Sequence, residues 1–209
     1  MKRISTYLVF IIWLFILGCG EESVDENALL TRGLLRYQVN SEIPFTGKSF
    51  KKSPSGELST QNIYKNGKRI KTTNWASSGQ KIFEAEYDGE TKTETRWQDN
   101  GLLVAKEVFI EENKLHGTST YWDAEGNLML RQTSKEGWLD GVAIEWYENG
   151  QKKSEKTYKE SVLDGLSNFW RENGQKASED WYQDGRKVPG KSKFWDESGQ
   201  PKPNPVSED

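Results

Sequence analysis

The side chains that most often perform catalysis are scarce in this chain. His116 is the single histidine among 209 residues, so neither a Ser-His-Asp arrangement nor a histidine-containing metal cluster can be assembled. Glu145 and Glu148 have the residue type used in glycoside hydrolysis, but 32 acidic residues make a solvated strand face the simpler interpretation. We therefore expect no enzymatic activity, no metal and no cofactor.

The charged residues also argue against nucleic acid as a partner. The chain has 29 Lys and Arg spread among 32 Asp and Glu, with a net charge of -3, so there is no basic stripe for a phosphate backbone. No Gly-rich loop with a Lys-Ser/Thr pair opens a helix, as a phosphate-binding loop would, and we interpret the glycines of the Asn-Gly pairs as turn formers. Direct binding of the folded part to anionic lipid is unfavourable for the same electrostatic reason.

One residue has a chemical role that its context predicts, and this is Cys19. Lys2 and Arg3 precede an apolar run at residues 7–17, which is too short to span a bilayer as a helix of roughly 20 residues. Ile16-Leu17-Gly18-Cys19 resembles the bacterial lipobox, which implies a signal peptide over residues 1–18 and lipid attachment at Cys19. The alternative is an uncleaved anchor with an unreactive cysteine.

The lipobox resemblance also implies a location. Gly20, rather than Asp, follows the cysteine, and by the resemblance the protein escapes retention at the inner membrane. We expect a lipid-anchored protein of the bacterial cell envelope, at the outer membrane with a periplasmic or surface-exposed fold. Its contact with the membrane is expected through the lipid on Cys19.

The flanking segments are polar. Residues 19–33 predict a lipidated, flexible tether, and the fold is expected to start at Leu34, with the segment from Pro44 as the return partner of the first strand. Three prolines, the first of them Pro201, predict a disordered tail over residues 201–209.

Between these segments the chain repeats a unit of 22–25 residues, which is the pattern of a repeat architecture. We number seven units by the glycine of their central turn. These glycines are Gly56, Gly79, Gly101, Gly126, Gly150, Gly174 and Gly199.

Two aromatic columns follow this period. The tryptophan column lies four residues before the turn glycine, where the first unit has Lys52 instead; it comprises Trp75, Trp97, Trp122, Trp146, Trp170 and Trp195. The aromatic return column lies eight residues after the glycine, where the fourth unit has Ser134 instead; it comprises Tyr64, Tyr87, Phe109, Tyr158 and Tyr182. A third column, of the form Leu-x-Gly, precedes the later units and includes His116 as a turn residue.

Each unit has the pattern of a β-hairpin. Asn149-Gly150 is a strong hairpin signal, because both residues tolerate positive φ. Alternation places Val142, Ile144 and Trp146 on one face of the strand. The sequence therefore predicts an all-β fold over residues 34–200, an extended single-layer antiparallel meander of about seven hairpins. Tyr and Phe of the return column could fill the gaps between the indoles.

These columns resemble the bacterial variant of the MORN repeat, over about residues 44–200. The lipobox, the repeat and the scarcity of catalytic groups together suggest a non-catalytic scaffold that binds a protein of the cell envelope. The identity of this partner and the oligomeric state of the chain stay open. The family resemblance also carries the antitoxin-like label of related proteins, which implies neutralisation of an extracytoplasmic toxin. A third hypothesis is an envelope glycan-binding module, with indoles stacking on sugars. Whether the aromatic columns form the core or a binding face is left open.

Overall fold

The structure is a computed structural model that describes residues 22–110 and 113–203. The expected signal peptide and Cys19 lie outside these residues, as do residues 204–209 of the expected tail. Within the described ranges no helix is both long enough and apolar enough to cross a bilayer. The described chain is β-structure with one short 3-10 helix.

A sheet of 17 strands contains the described repeats, and a separate two-stranded sheet lies in the N-terminal segment. The N-terminal segment comprises β1 (Ser23–Asp25), the 3-10 helix (Glu26–Ala28), β2 (Leu29–Arg32) and β3 (Leu35–Gln38). The remaining strands are β4 (Gly47–Lys52), β5 (Leu58–Lys65), β6 (Lys68–Trp75), β7 (Lys81–Asp88), β8 (Thr91–Trp97), β9 (Leu103–Ile110), β10 (Lys114–Leu115), β11 (Gly117–Trp122), β12 (Leu128–Lys135), β13 (Trp138–Trp146), β14 (Lys152–Lys159), β15 (Val162–Trp170), β16 (Lys176–Gln183), β17 (Arg186–Lys187), β18 (Lys193–Trp195) and β19 (Pro201–Lys202).

Strands pair in the order in which they follow one another along the chain. The pairing is antiparallel from β4 and β5 through to β18 and β19. β10 and β11 both pair with β9, and β17 and β18 both pair with β16, as two halves of an interrupted strand. The predicted all-β meander of hairpins is confirmed.

The central turns use glycine differently from the expected Asn-Gly turn. All seven turn glycines have positive φ, +80° at Gly150, but Asn149 does not. Gly150 N–H donates to the Tyr147 carbonyl at 2.9 Å, which makes a tight turn closed by a left-handed glycine. Paired positive φ occurs instead in the turns that connect one unit to the next, which we call the second turns, as at Asp184 and Gly185 with φ of 49° and 79°.

A β-bulge follows the central turn in six units. In the fifth unit Glu145 pairs with Ser154, whereas Trp146 pairs with Lys152, so Lys153 is an extra residue on the returning strand. The same one-residue shift occurs beside Lys52, Trp75, Trp97, Trp122 and Trp170. A bulge of this kind shifts the alternation of side chains between the two faces on the strand that contains it, whereas the partner strand keeps its regular alternation.

The pairing register assigns every side chain to one of two faces. Most buried residues, among them Ser119, Ala143, Ser154 and Ser167, lie on one face, which we call the buried face. Trp146 follows Glu145 on an unbulged strand and therefore lies on the opposite face with Ile144, as predicted. We call this the tryptophan face. A single sheet thus has its core of small residues on one side.

The N-terminal segment is part of the fold, although the sequence predicted a tether as far as residue 33. β1 pairs in parallel with β4, which covers the edge of the sheet. Leu29 and Phe45 pack with Tyr64 in a buried apolar cluster. β2 pairs with β3 in its own hairpin, and the expected return partner Pro44 makes a single bridge to Tyr37. The described residues from 22 onward are therefore folded against the first repeat.

A carboxylate holds this segment in place. Glu26 accepts hydrogen bonds from Ser49 and Asn62 of the buried face and pairs with Arg36 at 2.5 Å. Burial alone would raise the pKa of Glu26, but these hydrogen bonds and the charge of Arg36 outweigh it and lower the pKa. Polar residues that suggested a flexible tether therefore form the contacts that hold this segment against the sheet.

The C-terminal end of the described chain also differs from the expected tail. Pro201 and Lys202 form β19, and they pair with Trp195 and Phe194 of β18. The edge position accommodates Pro201, because an edge strand leaves one row of backbone groups unpaired.

Candidate binding surface

The tryptophan column occupies one structural position. Each of its six residues is the last residue of a strand, immediately before the central turn, and each is half-buried. The register places the column on the tryptophan face, opposite the core. The column is therefore an ordered row at the rim of the sheet and is not the fully buried centre of the fold.

Cations of the same chain cover several of the indole rings. A lysine two residues after one turn glycine lies over the tryptophan of the next unit, with Nζ to ring-centre distances of 4.3 Å for Lys81–Trp97, 5.0 Å for Lys152–Trp170 and 5.2 Å for Lys176–Trp195. In the fourth unit Leu128 occupies the lysine position, and Arg131 lies 5.5 Å from the ring of Trp146. These cation–π contacts link neighbouring units along the tryptophan face.

The same lysines form ion pairs three residues further along their strands. Lys152 pairs with Glu155 at 2.5 Å and Lys176 with Glu179 at 2.5 Å. The bulge makes this possible because it turns the lysine toward the face on which the glutamate lies. Hydrogen bonds from Lys176 and then Lys193 lower the pKa of Glu179 despite its partial burial.

The aromatic return column lies on the buried face, so it does not fill the gaps between the indoles. Tyr158 pairs with Gly141 and Tyr182 with Gly165. A Cβ on Gly165 would lie 3.2 Å from Thr157 Cβ, and the φ of Gly165 is +116°. The positive φ and the close approach of Thr157 together account for glycine at this position of the Leu-x-Gly column.

The leucine of that column joins neighbouring units through its backbone. The Leu139 carbonyl accepts from Ser161 N–H at 2.7 Å, and the Leu163 carbonyl from Gly185 N–H at 2.9 Å. His116 lies in the equivalent triplet, where its N–H donates to the Val108 carbonyl at 2.7 Å. His116 therefore lies in the short break between β10 and β11, beside β9, and not in a turn.

Side chains also connect successive central turns to one another at the ends of the strands. Tyr147 Oη donates to the Trp170 carbonyl at 2.8 Å, and Asn149 Nδ2 donates to the Glu172 carbonyl at 2.7 Å. Arg171 donates to the Trp195 carbonyl at 2.7 Å. Successive turns are thus held at fixed positions, and the surface that they present is preformed.

Beside these turns lies a groove of about 530 Å³. Its floor on the tryptophan face comprises Leu128, Met129 and Trp146. Turn carboxylates line its outer edge, among them Glu148 and Glu172. The sequence did not identify this groove, because its lining comes from side chains of three successive units that meet only after strand pairing.

The buried face contains a charged network that the sequence analysis also missed. Glu94 pairs with Lys92 at 2.9 Å and with Arg96 at 3.0 Å, and Arg96 reaches Glu107 at 2.6 Å. Tyr121 Oη donates to Glu107 at 2.7 Å, and burial together with this carboxylate raises the pKa of Tyr121 to about 12. The sequence signal that could have predicted this network was the alternation that places Lys92, Glu94 and Arg96 on one face of the same strand.

The residues considered for catalysis are not brought together. Glu145 lies on the buried face and pairs with Lys156 at 3.0 Å, whereas Glu148 is exposed in the following turn. Within residues 22–110 and 113–203, no group of three or more His, Cys, Asp or Glu side chains could hold a metal ion.

Comparison with known proteins gives one family match. Residues 139–160, which contain the turn glycine Gly150, match the family described as MORN repeat variant. No curated protein matches the chain. Among solved structures, the one described as "Crystal Structure of TarM" is similar at 14% identity and a TM-score of 0.31. That similarity covers 49% of this chain and only 22% of the other, and it supports no conclusion about fold or function.

Proposed function

We propose that this chain, which contains a MORN repeat variant at residues 139–160, is a non-catalytic scaffold of the bacterial cell envelope. In this proposal the tryptophan face holds a partner protein, and a lipid on Cys19 anchors the scaffold in the membrane. The observation that supports it best is the position of the tryptophan column. Six indoles form an ordered, half-buried row on the face opposite the core.

Aromatic rows of this kind suit protein binding for two physical reasons. Trp is enriched among the residues that contribute most to protein–protein affinity. The turns and indoles are also held by contacts between units, such as Tyr147 to Trp170, so little side-chain freedom is lost when a partner binds. The half-buried state leaves ring edges and neighbouring apolar side chains, such as Val142 at 40% exposure, available to a partner.

The proposed anchor would keep the N-terminal end of the sheet close to the membrane. β1 begins at Ser23, four residues after Cys19. An extended chain spans at most about 3.6 Å per residue, so the sheet would begin within about 14 Å of an acylated Cys19. Two or more acyl chains on the cysteine would make the attachment stable, whereas one chain would make it marginal.

Two measurements test the anchor. Mass spectrometry of the mature protein should find an N-terminal acylated Cys19, and Cys19→Ser should move the protein from the membrane fraction to the soluble fraction. Recovery of an intact N-terminus at Met1 would contradict the lipidation.

Photo-crosslinking in intact cells tests the binding face. A crosslinking residue at Val142 should capture a partner protein, and capture should decrease in Trp170→Ala. A crosslinker at Leu34, which is 97% exposed in the N-terminal segment, is the control position away from this face. Equal capture from both positions would contradict a binding role for the tryptophan face.

The two other hypotheses, glycan binding and an immunity role, differ in how well they fit these contacts. Glycan stacking needs open ring faces, yet cations of the same chain lie over Trp97, Trp170 and Trp195. An immunity role is a special case of protein binding in which the partner is an extracytoplasmic toxin. In that case deletion of the scaffold should be harmful unless the toxin is deleted as well.

A further inference from the structure

The groove beside the central turns of the fourth, fifth and sixth units has an apolar floor that is open to solvent. Met129 is 48% exposed, and it lies beside Leu128 and the half-buried Trp146. Met129 is the extra residue of the bulge in its unit, so the bulge directs it onto this floor. Flexible thioether side chains of this kind adapt to varied apolar surfaces.

The edge of the groove is acidic and lacks cationic partners. Four carboxylates line it, from Asp123, Glu125, Glu148 and Glu172, against one cation, Lys153. In the described part of the chain none of the four takes part in an ion pair. By contrast, the tryptophan-face residue Glu155 is paired with a lysine of its own strand at 2.5 Å. The groove therefore presents uncompensated negative charge around an apolar floor.

The geometry of this edge is fixed before any partner binds. Asn149 ties its turn to Glu172 of the next turn, and Gln98 donates to the carbonyls of Asp123 and Ala124 at 3.4 and 3.1 Å. Asp123 accepts from Asn127 N–H at 2.8 Å, and these backbone contacts lower its pKa, so it stays ionised at neutral pH. The turns that carry these carboxylates thus have set positions relative to one another.

We propose that this groove binds an extended, arginine- or lysine-containing segment of the partner protein. The cationic groups lie among the turn carboxylates, and the aliphatic stems cover Leu128, Met129 and Trp146. Long basic side chains combine an apolar stem with a charged end, which matches a groove that is apolar at its floor and acidic at its edge. This inference rests on the proposed scaffold function and specifies the chemistry of its partner.

Peptide binding to the purified full-length protein in uncharged detergent tests the proposal. We expect a fluorescent eight-residue peptide that alternates Arg and Ser to bind, and a matched Glu and Ser peptide not to bind. Glu148→Gln with Glu172→Gln should weaken the affinity by about threefold or more per carboxylate and reduce its dependence on salt. Met129→Ser should weaken binding without changing the salt dependence.

The control is Glu197→Gln, at the equivalent position of the last central turn and outside the groove. Its affinity for the Arg peptide should equal that of the unmodified protein. Equal binding of both peptides, or an equal loss in the control and in the double variant, would overturn the groove assignment. If crosslinking at Val142 still captures a partner in that case, the scaffold function stands and only the groove is wrong.

Discussion

The aromatic return column and the tryptophan column have the same period, yet they lie on opposite faces of the same sheet. Tyr64, the most buried member of the return column at 3% exposure, packs against Leu29 and Phe45. Trp146 lies at the end of a strand, half-buried beneath Arg131. The other residues of the return column are half-buried, as the tryptophans are. The comparison therefore shows that burial of an aromatic residue depends on what packs against its face, which at Tyr64 is the N-terminal segment.

The largest expected effect lies in the return column. Tyr64→Ala removes a buried ring from the cluster that joins the N-terminal segment to the first unit, and should lower the free energy of unfolding by about 3–5 kcal/mol. Urea denaturation followed by circular dichroism measures this. Tyr64→Phe keeps the ring but removes the hydroxyl, with its 3.3 Å hydrogen bond to Glu26 and its contact with Arg36, and should cost about 1 kcal/mol. A similar loss in both variants would contradict a packing role for the ring.

The tryptophan column should show a smaller effect on stability. Trp146→Ala removes a half-buried indole, so we expect a loss of about 1–2.5 kcal/mol in the same urea experiment, well below the loss in Tyr64→Ala. Trp138, which is 59% exposed at the start of β13, supplies the matched control, and Trp138→Ala should change stability by less than about 0.5 kcal/mol. A loss for Trp146→Ala as large as that for Tyr64→Ala would show that both columns are core.

The cation–π contacts between neighbouring units on the tryptophan face, which we call the cation–π ladder, provide a further test of this comparison. Lys152→Met keeps the length of the side chain but removes the charge over Trp170 and the ion pair with Glu155, and should cost about 0.5–1 kcal/mol. Lys159→Met, at the exposed end of the same strand, is the control. The tryptophan fluorescence of Lys152→Met should also change, since the cation lies near the ring. An unchanged stability and spectrum would mean that the ladder does not link the units.

The smallest expected effect is a dependence of stability on pH. Burial would raise the pKa of Glu84, but hydrogen bonds from Lys81 and Lys71 outweigh it, and the folded-state pKa is below the ordinary value of 4.5. The stabilisation from Glu84 is therefore fully present above pH 4.5 and is lost as the pH falls through the folded-state pKa. Unfolding curves of Glu84→Gln should show a weaker loss of stability over this window. Identical pH profiles for the two proteins would contradict the assignment.

Much of the fold was predictable because successive units repeat the same turn and aromatic signals. A turn glycine in every unit and, in six of the seven units, a tryptophan four positions before it specify hairpins in chain order, and the structure confirms the meander. The N-terminal segment had no such repetition. β1 forms through parallel pairing with β4, and Glu26 is satisfied by Ser49 and Asn62, so its structure depends on contacts distant in sequence.

The candidate surface was only partly predictable for a related reason. The sequence identified the tryptophan column itself, and alternation placed Trp146 correctly beside Ile144. The groove, in contrast, joins Met129 to Glu148 and Glu172 of later units. No single unit contains enough of it to be recognised.

The sequence alone determined the period, the positions of the turns and the existence of two aromatic columns, because Gly and aromatic spacing are local properties of each unit. Only the tertiary structure decided which face each column occupies. Trp146 pairs with Lys152, and regular alternation from that pair would place Tyr158 on the same face as the indole. The extra residue Lys153 shifts the register by one and moves Tyr158 to the buried face. A one-residue bulge thus separates the core from the candidate binding surface.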